Sequence, residues 1–153
     1  MSVAEDRIWQ PDTTVATVVV REGRLLMVEE YAEGRLVLNQ PAGHLEPDEH
    51  LFDAAVRETL EESAWTVRLT HFVGAYQWKA ETGRQYLRLA FAGEALTHHA
   101  ERALDEGIVR ALWMTPDELR QAAPRHRSPL VWKVAADYLA GRRFPLSAVS
   151  RLA

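Results

Sequence analysis

A helix with two chemically opposed faces constrains this chain more than any other feature. Residues 48–63 read as helical, with Asp48 placed to cap the N-terminus and Glu49 in the first turn. Successive helical residues turn by about 100°. Glu58, Glu61 and Glu62, related by i, i+3 and i+4, therefore share one face. Phe52, Ala55, Val56, Thr59 and Leu60 cover a different arc, roughly 140° wide by the same count. The apolar arc needs a surface to pack on, and the acidic arc needs water or a cation.

The flanking segments supply that surface. Residues 13–20 are rich in β-branched side chains and read as a strand, Glu22-Gly23 as a turn and residues 24–30 as a second strand. Glu33-Gly34 is another turn, and residues 35–39 form a short third strand closed by Pro41 and Gly43. Beyond the helix, residues 67–78 and 85–91 read as strands joined by Glu81-Thr82-Gly83-Arg84, and residues 108–113 as a short strand. Thr115 and Pro116 mark a helix start, with Thr at the cap and Pro in the first turn. Residues 130–139 form the last helix, ending at Gly141. The order of strands, helix, strands and helices implies a three-layer α/β/α sandwich with a mixed β-sheet. The acidic helix is expected on one face and the last helix on the other. One domain is expected over residues 1–153, its core spanning about 10–145.

Composition narrows the function. A chain of 153 residues, 47% hydrophobic, can bury a real core. A net charge of −4 disfavours binding to a nucleic-acid polymer. No cysteine means no disulfide, no thiolate catalysis and no cysteine metal site. Met1 to Arg7 has no basic start followed by an apolar run, so no signal peptide is expected. The longest aliphatic stretches, such as residues 15–20, are far short of the roughly 20 residues of a membrane span. A cytoplasmic monomer or homodimer without a membrane partner is the expectation.

Three carboxylates on adjacent helical turns repel one another, and Arg57 is the nearby residue that offsets them directly. Mg²⁺ would remove the repulsion: it takes oxygen ligands and bridges carboxylates to substrate phosphates. Taken alone, the three glutamates better suit a solvated helix face, and the loop in front of the helix decides. Residues 43–65, GHLEPDEHLFDAAVRETLEESAW, resemble the Nudix box, G-x5-E-x7-R-E-U-x-E-E-x-G-U with U apolar. Gly43, Glu49, Arg57, Glu58, Glu61 and Glu62 match its fixed positions at the correct spacing.

The resemblance implies that Glu58, Glu61 and Glu62 bind Mg²⁺, with Mn²⁺ as a substitute, and that the Gly43 carbonyl is a further ligand. It implies that Glu49 and Arg57 pair to orient the site. The chain departs from the box at Thr59, Ala64 and Trp65. Ala64 stands where a glycine would end the helix with positive φ. None of these three is an expected ligand, so loop shape and stability are in question more than chemistry. Flanking stretches, including residues 38–46, 76–78, 87–88, 127–131 and 141–146, are similar to NudJ-type Nudix phosphatases. That likeness implies orthophosphate release from nucleoside di- and triphosphates, hydroxymethylpyrimidine pyrophosphate and thiamine pyrophosphate.

Several roles stay open at this stage. The general base is Glu58, Glu61, or a loop carboxylate, Asp105 or Glu106. Tyr76, Trp78 and Tyr86 either stack on a pyrimidine or pack in the core, with Gln40, Gln77 and Gln85 as candidate polar contacts. Arg88 lies on a strand and either faces solvent or reaches a phosphate, and Arg127 poses the same choice. The alternatives to a phosphatase are a nucleoside-triphosphate-sanitising enzyme, a dinucleotide pyrophosphatase and a non-catalytic ligand sensor.

Overall fold

The computed structural model describes residues 7–152. The signal-peptide expectation rests on Met1 to Arg7, of which residues 1–6 lie outside the described residues.

Seven strands and three helices follow in the order β1 (Asp12–Arg21), β2 (Arg24–Ala32), β3 (Arg35–Asn39), β4 (Ala42–His44), α1 (Leu51–Ser63), β5 (Trp65–Lys79), β6 (Gln85–His98), β7 (Ile108–Met114), α2 (Pro116–Gln121) and α3 (Leu130–Leu139). β1 is the organising strand. It runs parallel to β6, from Asp12 opposite Tyr86 to Val19 opposite Gly93. β6 in turn pairs antiparallel with β5. β1 and β2 pair at the base of their hairpin, at Val20–Leu25 and Arg21–Arg24. Farther along, that edge of β1 is taken by β4, through Thr14–His44, Val15–Gly43 and Ala16–Ala42. β2 carries β3 on one side and β7 on the other, both antiparallel. The sheet is therefore mixed, and β4 enters where β1 and β2 separate.

Alternation along β1 separates the two faces. Val15 packs with Ala54 and Ala55 of α1 and with Phe91, and Val19 packs with Val56 of α1, Leu26 and Val67. Val18 faces the other way, toward Leu130, Val131, Val134 and Ala135 of α3. Helices cover both faces, as the α/β/α expectation requires. Among the described residues no helix is long and apolar enough to cross a membrane.

Several boundaries differ from the sequence expectation. α1 begins at Leu51, with His50 and not Asp48 at the N-cap. Asp48 has φ 61° and belongs to the turn before the helix, where Glu49 accepts a hydrogen bond from the Glu46 amide at 3.2 Å. Glu49 is therefore a loop residue. β3 ends at Asn39 as expected, but residues 42–44, just past Pro41, add a further strand to β1. β5 begins two residues earlier, at Trp65, and β6 continues past Phe91 to His98, as bulges in β5 keep the two strands paired. Thr115 caps α2 with its hydroxyl on the Glu118 amide at 3.1 Å, and the Glu118 carboxylate returns the bond to the Thr115 amide.

The three departures from the box are accommodated by packing and by strain. Thr59 is fully buried and donates to the Ala55 carbonyl at 2.7 Å. Trp65 stacks on His98 and meets Trp113 edge-on. Ala64 ends the helix in the left-handed region, φ 62°, ψ 20°, its amide bonded to the Leu60 carbonyl. The expected helix end forms with a residue that pays for its Cβ.

Candidate active site

Two elements carry the site, and Arg57 ties them together. Its Nε and Nη2 hold both oxygens of Glu49, at 2.6 and 2.9 Å. Nη1 reaches Glu58 at 2.8 Å and Glu61 at 3.1 Å, and Nη2 also donates to the His44 carbonyl at 3.2 Å. One guanidinium thus binds the 44–49 loop to the acidic face of α1. The bidentate pairing holds the Glu49 carboxyl below its ordinary range and raises the Arg57 pKa.

Gly43 lies under that face. A Cβ on Gly43 would stand 2.2 Å from the Glu58 carboxyl carbon and 2.4 Å from both its oxygens. Only a residue without a side chain lets Glu58 occupy this place. Burial pushes the Glu58 pKa up, with Arg57 opposing and the charges of Glu61 and Asp105 adding to the rise. Glu62 lies deeper, 8% exposed, and accepts a hydrogen bond from the Ala42 amide at 2.8 Å. Burial pushes its pKa up to about 8; the Ala42 amide opposes the shift, and the charges of Glu30, Glu58 and Asp105 reinforce it.

Asp105, in the loop before β7, completes the arrangement. Its amide donates to the Glu61 carbonyl at 3.0 Å, which fixes the loop against the end of α1. Oxygens of Glu58, Glu61 and Asp105 lie within 4.8 Å of one another. Such a cage of hard oxygen donors suits a divalent cation. Glu106, the neighbouring candidate, is exposed and lies outside this group.

A NUDIX domain family profile matches residues 10–133. The chain is a member of the Nudix family. It is 39% identical over 142 residues to the Phosphatase NudJ of Escherichia coli strain K12 and to that of Shigella flexneri, with 93% of this chain and 92% of each relative covered. A solved structure described as a NUDIX hydrolase from Nitrosomonas europaea superposes with a TM-score of 0.91 and 41% identity, covering 94% of this chain and 98% of that one. Nudix membership makes the chain a hydrolase of pyrophosphate and related anhydride bonds, and such hydrolases use divalent metals.

The residues considered for substrate contact divide. Gln40 donates from Nε2 to the Val131 carbonyl at 2.7 Å, tying the end of β3 to α3. Tyr76 spends its hydroxyl on Asp137 of α3, at 2.8 Å, and is 8% exposed. Trp78 stacks on Tyr86, ring centroids 5.4 Å apart, and the two line a cavity of about 190 Å³ with Trp9, Gln77, Lys79 and Gln85. Arg88 is 7% exposed inside the Nudix fold, and its Nε and Nη1 lack partners. Arg127 pairs with Glu30 at 2.5 Å.

Glu30 was not singled out in the sequence. It is 7% exposed, and its charge reaches both Glu62 and Arg88. The available signal was the pair Glu29-Glu30 in an otherwise apolar strand. Alternation would send one of them to solvent, but a bulge against β7 falls between them and both are buried.

Proposed function

We propose that this chain is a Mg²⁺-dependent phosphatase that releases orthophosphate from nucleoside di- and triphosphates and from small pyrophosphates such as hydroxymethylpyrimidine pyrophosphate and thiamine pyrophosphate. One observation carries the reading: carboxylate oxygens of Glu58, Glu61 and Asp105 converge within 4.8 Å, with Glu62 behind them on the Ala42 amide. The similarity to proteins named Phosphatase NudJ supports orthophosphate as the product.

In this reading Glu58, Glu61, Glu62 and the Gly43 carbonyl hold the cation. A cation held by these residues would supply charge neutralisation for the substrate phosphates and acidify the attacking water. Arg57 keeps Glu58 and Glu61 aimed at that place, and its pairing with Glu49 leaves it no freedom to neutralise the phosphates itself. Asp105, and not Glu106, takes the water proton, because it sits among the carboxylates on a loop fixed to α1. Trp78, in the cavity it lines with Tyr86, is the aromatic offered to a substrate ring, whereas Gln40 is committed to Val131. The reaction takes place in the cytoplasm, within one domain.

The test is a panel of phosphorylated compounds with Mg²⁺, scored separately for orthophosphate, pyrophosphate and paired monophosphates. Orthophosphate is the expected product. Pyrophosphate would point to nucleotide sanitising, and two monophosphates to a dinucleotide substrate. E62Q is expected to fold and to lose turnover by about three orders of magnitude, the scale on which electrostatic groups act in such sites. Near-wild-type turnover in E62Q would remove the metal role assigned to Glu62.

A further inference from the structure

Arg88 is a buried cation that the hydrolytic machinery leaves without employment. It sits on β6 in register with Thr14 of β1 and Tyr76 of β5. It is 7% exposed, and neither Nε nor Nη1 has a hydrogen-bond partner. Thr14, 6% exposed, likewise has a hydroxyl without one. In-register side chains on adjacent strands share a face and stand about 5 Å apart. Two unmet polar groups, both able to donate, are therefore neighbours.

The surrounding carboxylates do not resolve this. Glu30 is bonded to Arg127 at 2.5 Å, and Glu62 to the Ala42 amide at 2.8 Å. Tyr76, on the other flank, gives its hydroxyl to Asp137. Burying a guanidinium without partners is costly, and an aliphatic side chain would fill a strand position at less cost. Burial and the charge of Arg127 push the Arg88 pKa down to about 10, so the group remains charged near neutral pH. A charged donor paired with a hydroxyl calls for an oxyanion, and phosphate oxygens suit a guanidinium best.

We propose that Arg88 and Thr14 form an oxyanion subsite that takes a non-bridging oxygen of a substrate phosphate. The inference rests on the phosphohydrolase reading. The charges of Glu62 and Glu30 act on Arg88, so a substrate with two linked phosphates would reach from the carboxylate cluster past Glu62 to Arg88. The subsite thereby selects pyrophosphoryl compounds over monophosphates.

The probe is methylenediphosphonate, a non-hydrolysable diphosphate analogue, added with Mg²⁺ and read by thermal unfolding. Wild-type protein is expected to gain melting temperature. R88M is expected to keep or exceed the unliganded melting temperature of the wild type, to lose the analogue-induced gain, and to show a KM for diphosphates raised about 10- to 100-fold, the loss of one charge-assisted contact. T14V is expected to weaken the gain in the same direction. Two results would each overturn the subsite: no gain in the wild type, or a full gain retained in R88M. Should R88M not fold, T14V decides by whether its gain shrinks. Wild-type hydrolysis of the panel is scored independently. Turnover with an unaltered R88M response sinks this subsite alone, and absence of turnover sinks the reading beneath it.

Discussion

Glu62 holds a proton that an exposed glutamate would have lost. Its pKa of about 8 in the folded, metal-free chain compares with an ordinary value of 4.5. The sign follows directly. As pH rises, the unfolded chain ionises first and the folded chain resists, so the stabilisation is complete below about pH 4.5 and is lost as pH climbs through 8. E62Q removes this dependence. In chelator, E62Q is expected to be more stable than wild type at pH 8.5 by on the order of a few kcal/mol, and the gap to close toward pH 5. Urea melts across that range check it, and a gap that does not vary with pH refutes it. Gly43 makes a different kind of statement, about volume. G43A forces the Glu58 carboxylate off Arg57 or pushes β4 from β1. We expect a stability cost of about 1–3 kcal/mol and a loss in kcat of about 100-fold, typical of a catalytic group displaced by about an ångström. Parallel unfolding and rate measurements separate the two.

At the scale of the element, α1 shows what could and could not be read from the chain. The spacing of Glu58, Glu61 and Glu62 put them on one face, and the Arg57 contacts follow from i, i+1 and i, i+4 neighbours on that helix. The start of the helix was not legible, because Asp48 has a capping side chain yet lies in a turn stabilised by Glu49 and Glu46. The sequence reads β6 only to Phe91, short of Gly93 and Glu94. The strand continues because Gly93 packs against β5, where a Cβ would come within 3.2 Å of the Arg68 carbonyl. The far end of α1 carries its own prediction. Ala64 adopts φ 62°, a conformation that glycine takes without penalty. A64G is expected to stabilise the chain by about 1 kcal/mol, or about 2–4 °C in melting temperature. A lower melting temperature would show that the methyl group, 3% exposed, contributes more by packing than it costs in strain.

For the whole molecule, the layers and the acidic helix were legible because periodicity and spacing are local properties. The remainder of the site was not, because it is made by contacts between distant segments. Asp105 reaches Glu61 across β5 and β6. Glu30 is kept inside by Arg127, which comes from the segment before α3. The idle donors of Arg88 become apparent only once β1 and β5 flank it. The sequence alone offers both Asp105 and Glu106, because which of the two joins the cluster depends on how the loop turns.

The parallel pairing of β1 with β6 has a kinetic consequence. β4 attaches to β1 early in the chain, but β1 has its second neighbour only after everything through β5 has been laid down. Closing so long a loop is slow and precedes any reward from its contacts. The cation ligands of α1 and β4, and the base Asp105 on the loop before β7, are brought together only after that slow closure. Magnesium should accordingly retard unfolding while leaving the refolding rate unchanged. In stopped-flow experiments one limb of the chevron would move with metal concentration and the other would not.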